Sequence, residues 1–546
     1  DMVLILHCDK MLSAWRTIFR GAIAAGIVSA VRPHAARFSY PIPHHSAGAP
    51  GVLDAAPSCS ELFHEQPLDH FGPSPSPGTF PQRYFLHDGH YRRDAGGPMF
   101  FYLGNEADVT LYVNATGLIW ENARSFGALV VFAEHRYYGA SQPFPDDPTS
   151  DLRFLTTGQA LMDYVGLVGH LKKEYGFAPS DAVVGFGGSY GGMLATWGRL
   201  RFPHIWDGAI AASAPVVAFE GVMAATDDMD FYAVGETFDV MPAAGAGLHC
   251  ETNLRKAFAA GGLTRVDPAV LRSTFHLCDT EDAEDAALAT SIATWINEAL
   301  SYMAMGNFPY RSTYILNGDG FLPPFPVRVA CESLAEDLTH DDRTEEWLHG
   351  LASFASVYYN YTSDLTCNTL SAPVNEEGRI VGELWDYQYC SQIFMVLGTR
   401  TTPTDMFGDA PWDGDAVARD CEARHGFPPH RRHFADAYGT PADWARSASN
   451  IVWSQGEYDP WRGGGVVSSL SDTLVAVVIP GAAHHLDLFF SHESDTDEVI
   501  AARALEMEHV RKWVEEKRTG YVHSPDPGAV MLRNNAAFDS DRTETE

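Results

Sequence analysis

A serine flanked by small residues stands in Gly187-Gly188-Ser189-Tyr190-Gly191. The run before it, Ala182-Val183-Val184-Gly185-Phe186, reads as a short buried strand, and Gly192-Met193-Leu194-Ala195-Thr196-Trp197 reads as the opening of a helix. A strand-to-helix turn this sharp leaves room only for glycine beside the serine. It pushes the hydroxyl out of the sheet and leaves the next N–H, that of Tyr190, facing an incoming oxyanion. A serine hydroxyl is a weak nucleophile unless a base takes its proton and an acid orients that base. Both follow in chain order. Ile451-Val452-Trp453 is a strand that runs into Gly456-Glu457-Tyr458-Asp459-Pro460-Trp461, and Leu474–Ile479 is an apolar strand that runs into Pro480-Gly481-Ala482-Ala483-His484-His485. Asp459 alone reads as an Asp-Pro turn residue, and either histidine alone as a loop residue. Together, each just past the end of a strand, they read as the acid and base of a nucleophilic serine. Spacing does not choose between His484 and His485.

The elements that must hold these groups have an α/β texture. Pro98–Leu103 and Ala128–Ala133 are further buried-strand runs, and Leu161–Tyr175 has helical spacing. The expected fold is an α/β-hydrolase with a doubly wound parallel sheet, its reacting residues at the carboxyl ends of the strands. From 216 to 433 the pattern is mostly helical and holds six of the eight cysteines, Cys250, Cys278, Cys331, Cys367, Cys390 and Cys421. This reads as a helical, disulfide-bearing cap domain inserted between a first hydrolase part (59–215) and a second (434–520). None of the cysteines has metal-ligand spacing, and no zinc, nucleotide or other cofactor site is indicated. The second oxyanion donor is expected from the loop after the Pro98–Leu103 strand, at Asn105 or Glu106.

With 71 acidic and 37 basic residues the net charge is −34, which disfavours nucleic acid and anionic membranes as partners. Arg16 and Arg20 precede an apolar run ending in Val28-Ser29-Ala30, so residues 1–31 read as a signal-peptide region; a mitochondrial presequence is the alternative. Residues 32–58 read as a flexible leader or pro-segment and 521–546 as a disordered acidic tail. Sequons at Asn114 and Asn360 fit a secretory route to a lysosome-like vacuole or to export. A homodimer is left open.

Several motifs in order give the chain a resemblance to the post-proline serine exopeptidases, the group that holds Pro-X carboxypeptidases and dipeptidyl peptidase II. They are Glu65-Gln66-Pro67-Leu68-Asp69-His70-Phe71, Gly104-Asn105-Glu106, Phe132–Gly139 (Phe-Ala-Glu-His-Arg-Tyr-Tyr-Gly), Gly187–Leu194, Trp385-Asp386-Tyr387-Gln388, Asp459-Pro460-Trp461, Gly464-Gly465 and His484–Leu488. The resemblance covers about residues 60 to 517. It implies a Ser189, Asp459, His484 triad and a proline pocket lined by Met193, Met395 and Trp461. It also implies the pairs Cys250 with Cys331, Cys278 with Cys367, and Cys390 with Cys421. The implied activity is a serine peptidase acting on proline-containing peptides, either a carboxypeptidase releasing the residue after a penultimate proline or a dipeptidyl peptidase releasing X-Pro or X-Ala. Arg379 and Glu383 in the cap are examples of groups that could hold a substrate carboxylate or amine. The chain departs from the family pattern at Ala107, Phe489 and Glu457-Tyr458. Readings from other classes are a catalytically inactive hydrolase-fold binding protein and a lipase or esterase, the latter lacking its H-G-G-G loop.

Overall fold

The structure is a computed structural model that describes residues 58–72, 78–223, 229–279, 283–314, 320–370, 376–400 and 404–520. The signal-peptide region, nearly all of the leader and the acidic tail expected from sequence lie outside the described residues.

Eight strands form one sheet in the order β1-β2-β4-β3-β5-β6-β7-β8. They are β1 (Ser60–Pro67), β2 (Thr79–His87), β3 (Met99–Leu103), β4 (Leu129–Ala133), β5 (Val183–Gly188), β6 (Gly208–Ala212), β7 (Ile451–Gly456) and β8 (Leu474–Ile479). From β4 to β8 all neighbours are parallel. The expected parallel sheet is extended at one edge by antiparallel strands, β1 pairing with β2 and β2 with β4. Only 11 residues separate β1 from β2 (68–78), too few for the helical crossover a parallel pair needs. The central strands Met-Phe-Phe-Tyr-Leu (β3) and Leu-Val-Val-Phe-Ala (β4) are buried on both faces, which is why they lack polar alternation.

Helices cover both faces. On one side α1 (Thr157–Glu174), N-capped by the Thr156 side chain, buries Leu161, Tyr164, Leu167, Val168 and Leu171 at helical spacing. Beside it α2 (Ser189–Arg201) starts at the serine itself and is buried almost throughout. Between β6 and β7 the named elements are helices. They include α3 (Phe231–Asp239), α4 (Asp285–Met305), α5 (Thr344–Tyr359) and α6 (Glu376–Ser391). Disulfides Cys250–Cys331, Cys278–Cys367 and Cys390–Cys421 tie this region together. On the other face α7 (Asp497–Thr519) returns beneath the sheet; its Trp513 lies so close to Gly208 that a Cβ there would come within 2.0 Å of the indole.

The antiparallel edge is locked by one buried ion pair. Arg136, after β4, donates through Nε to Asp163 Oδ2 (2.7 Å) and through a terminal nitrogen to Oδ1 (2.8 Å), both side chains being wholly buried. It also donates to the carbonyls of Pro67, Leu68 and Phe154, while His70 bonds Asp163 Oδ1. Removing one partner of such a pair strands a buried charge. Asp163→Ala should therefore cost about 3–5 kcal/mol, read as a lower denaturation midpoint with an unchanged m value.

Candidate active site

Ser189 is the first residue of α2 and has φ 55°, a left-handed conformation that a side-chain-bearing residue adopts only under constraint. The neighbouring glycines show the constraint. A Cβ on Gly187 would sit 2.1 Å from the Gly191 carbonyl oxygen, and one on Gly191 would sit 2.2 Å from Asn105 Oδ1. A Cβ on Gly188 would press on the His485 ring at 2.9 Å. Asn105, in the loop after β3, donates its side-chain amide to the Gly188 carbonyl (2.6 Å) and accepts from the Tyr102 hydroxyl. Its side chain thus clamps the turn.

The candidate acid and base lie just past the ends of β7 and β8. Asp459 is 1% exposed; its Oδ1 accepts from the Trp461 N–H (3.0 Å) and its Oδ2 bonds His484 Nδ1 (2.9 Å). That bond engages Nδ1 and leaves Nε2 as the ring nitrogen not bonded to Asp459. Among the described residues no hydrogen bond joins Ser189 Oγ to His484, a contact that often tightens only with substrate bound. His485, the rival base, has no carboxylate partner. Its backbone N–H donates to Ser213 Oγ (2.7 Å), its Nε2 pairs with the Tyr314 hydroxyl (3.1 Å), and its Nδ1 is buried and unbonded. Burial first, and then His484, push its pKa well below the ordinary value, so it stays a neutral wedge between Gly188 and Tyr314. Ser213 (φ 48°) and His485 (φ 42°) share the strain of Ser189.

The cap completes the site. Met305, the last residue of α4, accepts the His484 N–H through its carbonyl (3.1 Å) and the Trp461 indole N–H through its sulfur (3.3 Å). A helix C-terminus, with its partial negative charge, thus lies against the histidine. From α6, Gln388 donates to the Tyr190 hydroxyl (3.1 Å) and bonds Tyr138, and Trp385 meets the Tyr190 ring edge-on. His135 also contacts the Tyr190 hydroxyl. Met193, Met395 and Trp461 are all buried in one apolar cluster. Met193 lies one turn beyond Ser189 on α2, Met395 bridges Phe219, and Trp461 packs against Tyr232. Arg379 and Glu383 pair with each other on the surface of α6. Asn114 is half-buried near the end of a short helix, and Asn360 bonds both backbone groups of Leu365.

Sequence reasoning gave no role to Tyr314, Ser213, Met305 or Asp239. They lie outside the motifs, and only folding sets them around the triad. His135 and Gln388 were inside quoted motifs, but nothing local pointed to Tyr190.

A model of the serine carboxypeptidase S28 family matches residues 66–506. The chain belongs to that family. It is 35% identical over 520 residues to the lysosomal Pro-X carboxypeptidase of Homo sapiens, covering 94% of this chain and 97% of that one. With the Mus musculus enzyme of the same name it shares 36% over 483 residues, 86% of this chain and 92% of the other. A thymus-specific serine protease of Mus musculus is 27% identical over 473 residues, 83% and 87% of the two chains.

Behind Asp459 the S28 chain stacks buried acids. Helix α3 meets the turn at Pro460 so closely that a Cβ on Gly235 would be 2.7 Å from Pro460 Cα. Asp239, at its end, has both oxygens buried without a hydrogen bond; burial, then Asp459, hold its pKa well above the ordinary value. Glu236, bonded by the Ser301 hydroxyl, is pushed by burial from 4.5 to about 8. The native state therefore binds this proton more tightly than the unfolded chain does. The stability it contributes is complete below pH 4.5 and is lost as pH rises through about 8. Glu236→Gln keeps an acceptor for Ser301 and removes the linkage. Thermal melts should show a shallower fall in Tm between pH 5 and 8, and a Tm at pH 8 about 2–4 °C above wild type. An unchanged slope would mean that Glu236 is already ionised in the native protein.

Proposed function

We propose that this serine exopeptidase is a Pro-X carboxypeptidase, releasing the residue that follows a penultimate proline, with Ser189 as nucleophile, His484 as base and Asp459 as orienting acid. The observation that carries the catalytic assignment is the His484 Nδ1–Asp459 Oδ2 bond on the loop that packs against the elbow of Ser189. The acid fixes the tautomer, and the imidazole takes the serine proton as the hydroxyl attacks the prolyl carbonyl. The tetrahedral oxyanion is met by the Tyr190 N–H and an amide of the Asn105-Glu106 segment. The imidazolium, stabilised by Asp459, then protonates the leaving amine, and water releases the acyl-enzyme by the same steps in reverse. Met193, Met395 and Trp461 form the proline pocket; thioether side chains adapt to a rigid ring and exclude water from it.

The direction of cleavage rests on the relatives at 35–36% identity, whose names are those of Pro-X carboxypeptidases. No helix among the described residues is long and apolar enough to cross a membrane. The sequons, the three disulfides and the lysosomal relatives support passage through the secretory pathway to an acidic compartment.

Purified protein at about pH 5 should release Phe from an N-blocked peptide ending in Pro-Phe and leave a free peptide beginning Lys-Pro intact. Ser189→Ala should lower kcat by about 10⁴-fold or more and abolish fluorophosphonate labelling. Release of Lys-Pro instead would overturn the carboxypeptidase direction. Failure to label wild type would overturn the triad.

A further inference from the structure

A carboxypeptidase must tell a terminal carboxylate from a continuing chain, and this rests on the reading just given. The usual device is a cation. Yet Arg379 of the cap pairs with Glu383, and Arg462, three residues after the triad acid, lies over the Phe238 ring and faces Asp239 behind the site. The group that does reach the base is an acid. Glu106 follows Asn105, whose side chain grips the Gly188 carbonyl, so the loop is pinned one residue from the nucleophile. Glu106 is buried, its Oε2 is sealed from water without a hydrogen-bond partner, and it lies close enough to His484 for the two to interact electrostatically.

The surroundings of Glu106 are phenolic. Tyr102 from β3, Tyr190 from α2, Tyr112 and Tyr138 from the flanking loops and helix, and Tyr314 from the cap all sense its charge. Four of these hydroxyls are engaged elsewhere, with Asn105, Gln388 or His485. His484 favours the ionised form of Glu106 electrostatically, against the stronger effect of burial.

In a bound substrate the leaving nitrogen must lie at His484 Nε2 to receive its proton. The terminal carboxylate is only two bonds from that nitrogen. A group beside His484 but not bonded to it is therefore placed where this carboxylate arrives. We propose that Glu106, in its neutral form, donates a hydrogen bond to the terminal carboxylate of the substrate and so selects chain ends for cleavage. A carboxyl–carboxylate contact needs one proton. Burial raises the Glu106 pKa to about 7, and supplies it throughout the acidic range. Above that, the ionised group repels the substrate carboxylate, so substrate binding weakens as pH rises through about 7. A continuing peptide or a C-terminal amide presents no anion to complete the pair.

The test compares N-blocked Ala-Pro-Phe, its C-terminal amide, and the 4-nitrophenyl ester of N-blocked Ala-Pro, whose leaving group has no carboxylate. In wild type the acid should be cut faster than the amide, and KM for the acid should climb above about pH 7 while KM for the ester stays level. Glu106→Leu, which retains the backbone amide of this loop, should lose about 30-fold in kcat/KM on the acid, mostly through KM, and lose far less on the ester. Glu106→Gln retains an N–H donor that does not ionise, so its acid preference should persist with no climb in KM between about pH 5 and 8. A Gln variant that keeps the wild-type climb overturns the proposal. So does a Leu variant that loses acid and ester alike while the Gln variant behaves as wild type, or an acid preference removed by Arg462→Gln instead. Wild type that cuts none of the three substrates would sink the serine peptidase reading itself, a different outcome from each of these.

Discussion

The arrangement depends on a backbone that cannot relax at Ser189. A residue with a side chain is held at φ 55° because β5 ends and α2 begins with no linker between them. Such a conformation costs of order 1–3 kcal/mol and persists only when its surroundings over-determine it. They do so from four directions: β5 and β6 below, Asn105 through the Gly188 carbonyl, the Gly187–Gly191 contact within the turn, and the His485 ring above. His485 is held in turn by Ser213, itself at φ 48°. The strain is therefore distributed over three residues that face one another, and each limits how the others relax.

The cap participates in this geometry as well as covering it. Met305 at the end of α4 holds both the His484 backbone and the Trp461 indole, and Gln388 and Trp385 on α6 hold Tyr190. Helix α4 runs from a solvent-facing start to Met305, so its packing bears directly on the histidine loop. Losing cap packing would be expected to disturb the histidine loop before it disturbs the sheet.

Charge follows the same plan. The chain is strongly acidic overall, while Glu106, Glu236 and Asp239 are carboxyls whose pKa burial raises. Asp459 accepts two N–H donors. The same design suits a compartment where protons are plentiful, since each buried acid is easier to keep neutral there.

What the sequence determined by itself was the part that depends on local pattern. The glycines at 187, 188 and 191 announce a turn that no other residue tolerates, and apolar runs such as 99–103 and 129–133 can only be buried strands. Ser189, Asp459 and the His484-His485 pair were legible because each follows a strand, in the order this chemistry requires. Two histidines side by side were indistinguishable locally, and only the resemblance preferred one. Tertiary structure decided the rest: the Asp459 carboxylate meets His484, while His485 meets Tyr314, a residue 171 positions away in the chain. The antiparallel edge, the self-pairing of Arg379 with Glu383, and the burial of Glu106 were likewise invisible. Each depends on which long-range neighbours remove water from a group, and burial of that kind is a property of the folded whole.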